Sequence, residues 1–177
     1  CEQNVREYYK KSVLLRNDDH FEIQFKEIFD HMAALYGLDD MQKDQLMQWE
    51  IEGELEAVIP LVPQISLLKK YIAEGNDIVL ISDMYLPKEV IVKLLQKADP
   101  LLATLPLYVS SEVGHQKTTR KLFLHVYSDL DYCYEKWIHI GDNRFADQVQ
   151  PEMLGIQTAP IPVPEWTPYE KRLADYS

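Results

Sequence analysis

Three short apolar runs constrain this chain more than any other feature: DIVLIS at 77–82, LYVS at 107–110 and KWIHIG at 136–141. The first does not alternate between apolar and polar residues, which is the pattern of a strand covered on both faces of a parallel sheet. Amphipathic helices stand between the runs. PQISLLKKYIAEG precedes the first, with Pro63 in its opening turn and Gly75 at its end. PKEVIVKLLQKAD follows the first, and TTRKLFLHVYSDL follows the second. After the third, a helical segment over 145–154 leads to a fourth strand, GIQTAPI. Strand and helix thus alternate four times. This order predicts an α/β fold, a Rossmann-like parallel sheet flanked by helices.

The residues before Pro63 follow a different pattern. Helical spacing runs through 2–15, through FKEIFDHMAALYG with Gly37 as its stop, and through MQKDQLMQWEIEGELEAVI, capped by Asp39 or Asp40. The predicted organisation is an N-terminal helical cap module at 1–62, a Rossmann-like core at 63–160 and a Pro-rich extended tail at 161–177. Met41, Met47 and Trp49 read as packing residues of the helical module, and EGELEA as a solvated helix face.

Charge narrows the function. A net charge of -11 and a pI near 4.8 argue against nucleic-acid or anionic-membrane binding, because phosphate backbones would be repelled. They do not oppose a small phosphorylated substrate, which needs only a few local cations, amides or a metal ion. The two cysteines, Cys1 and Cys133, are too far apart in sequence to read as a disulfide framework or a zinc pattern. No apolar run approaches membrane-spanning length. The expected compartment is a reducing cytoplasm.

In open parallel sheets, ligands bind beyond the carboxyl ends of the strands. The first strand is followed by Ser82 and Asp83, the second by Ser110, Ser111 and then Lys117, the third by Gly141, Asp142, Asn143 and then Asp147. Hydroxyls, a lysine and acids at one sheet edge suit a phosphate and a hard divalent cation. Taken singly, each has a plainer reading. Ser82 and Asp83 make an ordinary strand-to-helix turn, Lys117 a solvated lysine, and Gly141-Asp142-Asn143 a tight turn. His139 reads as a packed core histidine, and His115 as a weaker candidate for substrate contact.

Together, SDMYLP, SSEVGHQK and IGDNRFADQVQPEMLGIQT resemble the second, third and fourth motifs of the haloacid dehalogenase superfamily. The closest subgroup is that of predicted hydrolases found alone or beside glycosyltransferases in polysaccharide gene neighbourhoods. The resemblance spans roughly residues 20–160. It implies a magnesium-dependent phosphohydrolase. Ser82 would hydrogen-bond the phosphoryl group, Lys117 would neutralise it, and Asp142 would bind Mg2+. Asp147 would be a second ligand or its support, and Asp83 would line the site. The implied substrate is a small phosphate monoester, with a sugar phosphate suggested by the family's setting. A fused or neighbouring glycosyltransferase domain is the implied partner.

The family's first motif has no match. Its nucleophile is the first aspartate of a D-x-D pair on a central strand before the cap, and no D-x-D stands upstream of residue 60. Asp129 and Asp131 form one, but it reads as a turn after a helix. The expectation is that the nucleophile lies upstream of Cys1. The alternative is that a segment such as SVLLRN at 12–17 fills the slot in a degenerate, non-catalytic accessory or interaction domain.

Overall fold

The structure is a computed structural model that describes residues 22–130 and 136–161. The helix expected over 2–15, the SVLLRN segment, Asp131, Cys133 and the tail beyond Ile161 lie outside the described residues. The chain forms two compact units, Cys1–Val126 and Tyr127–Ser177.

In the first unit, α1 (Phe25–Tyr36) buries Phe25, Ile28 and Phe29, the positions that helical spacing puts on one face. Gly37 ends it in the left-handed conformation at φ 66°, which glycine adopts without a Cβ penalty. Asp39 caps α2 (Asp40–Ala57): its carboxylate accepts the Gln42 N–H at 2.8 Å, and the Gln42 side chain accepts the Asp39 N–H at 3.1 Å. Lys43 joins the two helices by reaching Asp30 at 2.8 Å. Leu46, Met47 and Ile51 of α2 pack on the core. Met41 and Trp49, expected to pack as well, are 81% and 59% exposed. They are eight residues apart, so they share a face, and that face points away from Leu46, Met47 and Ile51.

α3 (Val62–Ala73) leads through Gly75 to β1 (Leu80–Ser82). β1 pairs in parallel with β2 (Leu107–Val109), with Leu80 opposite Leu107 and Ser82 opposite Val109. α4 (Lys88–Ala98) lies between them in sequence and buries Val90 and Ile91. α5 (Ser110–Val113) follows β2, then a 3₁₀ turn over Lys117–Thr119, then α6 (Lys121–Leu130). β1 is shorter than its apolar run, and all three of its residues are only half-buried. The expectation of a strand covered on both faces is not met among the described residues, where β2 is its one hydrogen-bonded neighbour.

One core joins the helices to the strands. Ile23, Phe25, Ile28 and Phe29 cluster with Tyr85, Leu86, Val90, Ile91, Leu107 and Val109. The Phe25 ring lies 4.8 Å from Phe29 and is stacked on Tyr85 at 6.2 Å. The Tyr85 hydroxyl donates to Glu50 of α2 at 2.9 Å. The SDMYLP segment is therefore an attachment point for the first two helices.

In the second unit, β3 (Ile138–Gly141) pairs in parallel with β4 (Gln157–Pro160), His139 opposite Thr158. The helical segment expected over 145–154 is a π-helical stretch, Arg144–Val149, followed by α7 (Gln150–Glu152). His139 and Gly141 of β3 are buried, whereas Ile138 and Ile140 are exposed. The fold is thus mixed α/β, with two parallel pairs of short strands among the described residues. No described helix is long and apolar enough to cross a membrane.

Candidate functional site

In the first unit the structure brings Asp83 and Lys117 together. Both Asp83 carboxylate oxygens accept the Lys117 backbone N–H, at 2.9 and 3.1 Å. This contact fixes the first residue of the 3₁₀ turn beside the end of β1. Ser82 is the last residue of β1 and is half-buried. Among the described residues its hydroxyl has no hydrogen-bond partner. Asp83 therefore acts on the backbone of Lys117, an acceptor role that its place beside Ser82 in the sequence does not announce.

The segment after β1 is also stitched to the one after β2. The Met84 N–H donates to Ser110 Oγ at 2.9 Å. Ser111 Oγ donates to the Leu86 carbonyl at 3.1 Å, and the Lys88 N–H donates to Glu112 at 3.3 Å. The small, short-reach side chains of SSE satisfy backbone groups that a turn would otherwise leave open. Ser110 and Ser111 are buried, so their hydroxyls serve this junction.

Sequence reasoning missed Glu22 and Gln116. Glu22 is buried at 9% exposure. Its carboxylate accepts from Ser110 Oγ at 2.7 Å, from Gln116 Nε2 at 3.0 Å and from the Ile23 N–H at 3.1 Å. The Ser110 and Gln116 contacts span 88 and 94 residues of sequence, so no local pattern signals them. His115 is half-buried in the same loop. A cavity of about 330 Å³ in this unit is lined by Lys88, Tyr108, Glu112 and His125 among others, and by none of the predicted site residues.

In the second unit Asp142 and Asp147 differ sharply. Asp142 is exposed, and its carboxylate has no partner among the described residues. Asp147 is buried at 2% exposure. One of its oxygens lies 3.0 Å from His139 Nε2, and the other accepts the Asn143 N–H at 3.0 Å. Asn143 in turn caps the π-helical stretch by accepting the Phe145 and Ala146 N–H groups at 3.0 and 2.9 Å. Gly141 gives this arrangement its space, since a Cβ there would overlap the Asp147 side chain. His139 is buried, as read from the sequence, and it holds Asp147.

This geometry gives the glycine, the two aspartates and the histidine separate tasks. Gly141 admits Asp147, and Asp147 is held by His139 and orders the turn through Asn143. Asp142 stands outside that network with its oxygens open. A magnesium ion usually keeps several waters and takes one or two carboxylates, and Asp142 fits as one such carboxylate. The two Asp147 oxygens are already engaged, so its fit is as support for the turn carrying Asp142. No group of three or more His, Cys, Asp or Glu that could hold a metal occurs among the described residues.

No known family model matches the chain, and no curated protein matches it.

Proposed function

We propose that the chain belongs to a haloacid dehalogenase-type phosphohydrolase, a Rossmann-like α/β domain with a helical cap. It hydrolyses a small phosphate monoester, with a sugar phosphate the favoured class. The contact between the Asp83 carboxylate and the Lys117 N–H supports this reading most directly, because it joins two of the three motifs at the end of a parallel strand. In this reading Ser82 donates its hydroxyl to a phosphoryl oxygen. The Lys117 ammonium offsets phosphoryl charge, and Asp83 holds the backbone from which that ammonium projects. The nucleophile would be the first aspartate of a motif that this sequence does not match: its attack on phosphorus breaks the ester P–O bond, the second aspartate of that motif protonates the departing alcohol, and water then cleaves the aspartyl-phosphate to inorganic phosphate. Asp142 would hold Mg2+, with Asp147 ordering its turn; the ion, when bound, supplies charge stabilisation to the phosphoryl oxygens. The compartment proposed is the cytoplasm, and the proposed partner domain is a glycosyltransferase.

The test is hydrolysis of an aryl phosphate with magnesium by the complete polypeptide and by its Asp142→Asn variant. Activity in the parent and none in the variant is the expected result. Equal activity in both refutes the role of Asp142. No activity in the parent favours a non-catalytic accessory domain on the same fold.

A further inference from the structure

Glu22 belongs to none of the motifs, yet it ties together the segments that carry two of them. Its carboxylate takes the Ser110 proton at 2.7 Å and a Gln116 amide proton at 3.0 Å. Ser110 has a single hydroxyl proton. With that proton committed to Glu22, its oxygen presents a lone pair to the Met84 N–H at 2.9 Å. One carboxylate therefore sets the direction of a hydrogen-bond chain. That chain reaches the residue after Asp83 on one side and the residue before Lys117 on the other.

The chemistry of Glu22 is unusual for a residue that only packs. A buried carboxylate is costly unless it is paired or well hydrogen-bonded. Glu22 forms no ion pair among the described residues, and its partners there are three neutral donors. An apolar residue of similar size would avoid the desolvation cost but could not orient Ser110 and Gln116. The charge is informative because it fixes donors that a neutral side chain would leave free to reverse.

We propose that Glu22 is a positioning residue for the phosphate-binding groups, holding the 83–84 and 116–117 segments in register so that Ser82 and Lys117 meet the same phosphoryl group. This rests on the reading of Ser82 and Lys117 given under Proposed function. Glu22 does not touch the substrate. It acts through Ser110 on Met84 and through Gln116 on Lys117.

The decisive variant is Glu22→Leu in the complete polypeptide. It keeps about the size of the side chain but removes both acceptor oxygens, including the one that Ser110 and Gln116 share. Two readouts separate the outcomes: hydrogen exchange of the Met84 and Lys117 amides, and binding of inorganic phosphate in the presence of magnesium. The expected result is a native melting profile, amide protection lost at both positions, and phosphate binding weakened by about tenfold or more. Ser110→Ala should reproduce the loss and add little to it in the double variant. Unchanged protection and unchanged phosphate binding overturn the proposal. Lost protection with unchanged phosphate affinity also overturns it and leaves Glu22 a structural tie. A parent protein that binds no phosphate, in which exchange still responds to Glu22→Leu, refutes the phosphohydrolase reading instead and removes the site that Glu22 was to position.

Discussion

Gly141→Ala offers the most direct test of the turn that carries Asp142. Gly141 is not among the residues with positive φ, so its backbone conformation is open to alanine. The obstacle is Asp147, whose Cβ, Cγ and Oδ2 occupy the place of the new methyl group. Two responses are available. If Asp147 is displaced, main chain included, it gives up the Asn143 N–H and His139, and hydrogen bonds to a charged group contribute about 1.5–3 kcal/mol each. If the backbone shifts instead, overpacking costs about 1–3 kcal/mol. The cheaper route sets the outcome, so the expected destabilisation is about 2 kcal/mol. The same substitution in an Asp147→Gly background, which removes the Cβ as well as the carboxylate, meets no such obstacle. There it should cost under about 0.5 kcal/mol, or stabilise slightly through lower unfolded-state entropy. Urea unfolding of the four proteins, followed by circular dichroism, completes the cycle, with a coupling of about 1.5–2 kcal/mol expected. Equal costs in both backgrounds would mean that Gly141 is not reserved for Asp147, and the account of the turn would fail.

Two further predictions concern the helices of the first unit. The Asp30 carboxyl is held below its ordinary pKa by hydrogen bonds from Lys26 and then Lys43. A depressed folded-state value means that this contribution is complete above the unfolded-state pKa of about 4 and is lost as pH falls through the folded value. Hydrogen exchange in α1 and α2 should therefore accelerate in acid below about pH 4, and Asp30→Asn should remove that component; an unaltered acid profile in the variant would count against it. Separately, Tyr85→Phe deletes the donor to Glu50 while keeping the ring on Phe25. It should lower stability by about 1 kcal/mol, read by urea unfolding, and Glu50→Ala, which removes the acceptor, should largely mask it.

The legible parts of this chain were those set by short-range rules. Gly37 as a helix stop and Asp39 as a cap follow from the conformations and hydrogen bonds that those side chains permit within a few residues. The four strands among the described residues were legible as apolar runs bounded by turns, and their parallel pairing follows from the helices between them. The exposure of Met41 and Trp49 was not legible. α2 carries apolar residues on more than one face, so periodicity alone could not choose the face that packs. The half-burial of β1 was not legible either, because an apolar run records what a strand tolerates and not which neighbours it has.

The candidate site divides along the same line. Ser82, Lys117 and Asp142 stand out because each follows a strand at a place where chemistry is expected. The groups that hold them in place do not stand out. Asp83 bonds a backbone amide 34 residues away, and any acceptor of that reach would look the same in sequence. Asp147 matched a motif position that implies either a second metal ligand or support for the first, and its contacts with His139 and Asn143 fit the supporting role. A carboxylate at a strand end is thus ambiguous until its oxygens are accounted for. Oxygens already engaged by protein donors, as in Asp147 and Glu22, serve geometry. Asp142, whose oxygens meet no described partner, is the carboxylate left with capacity for a ligand.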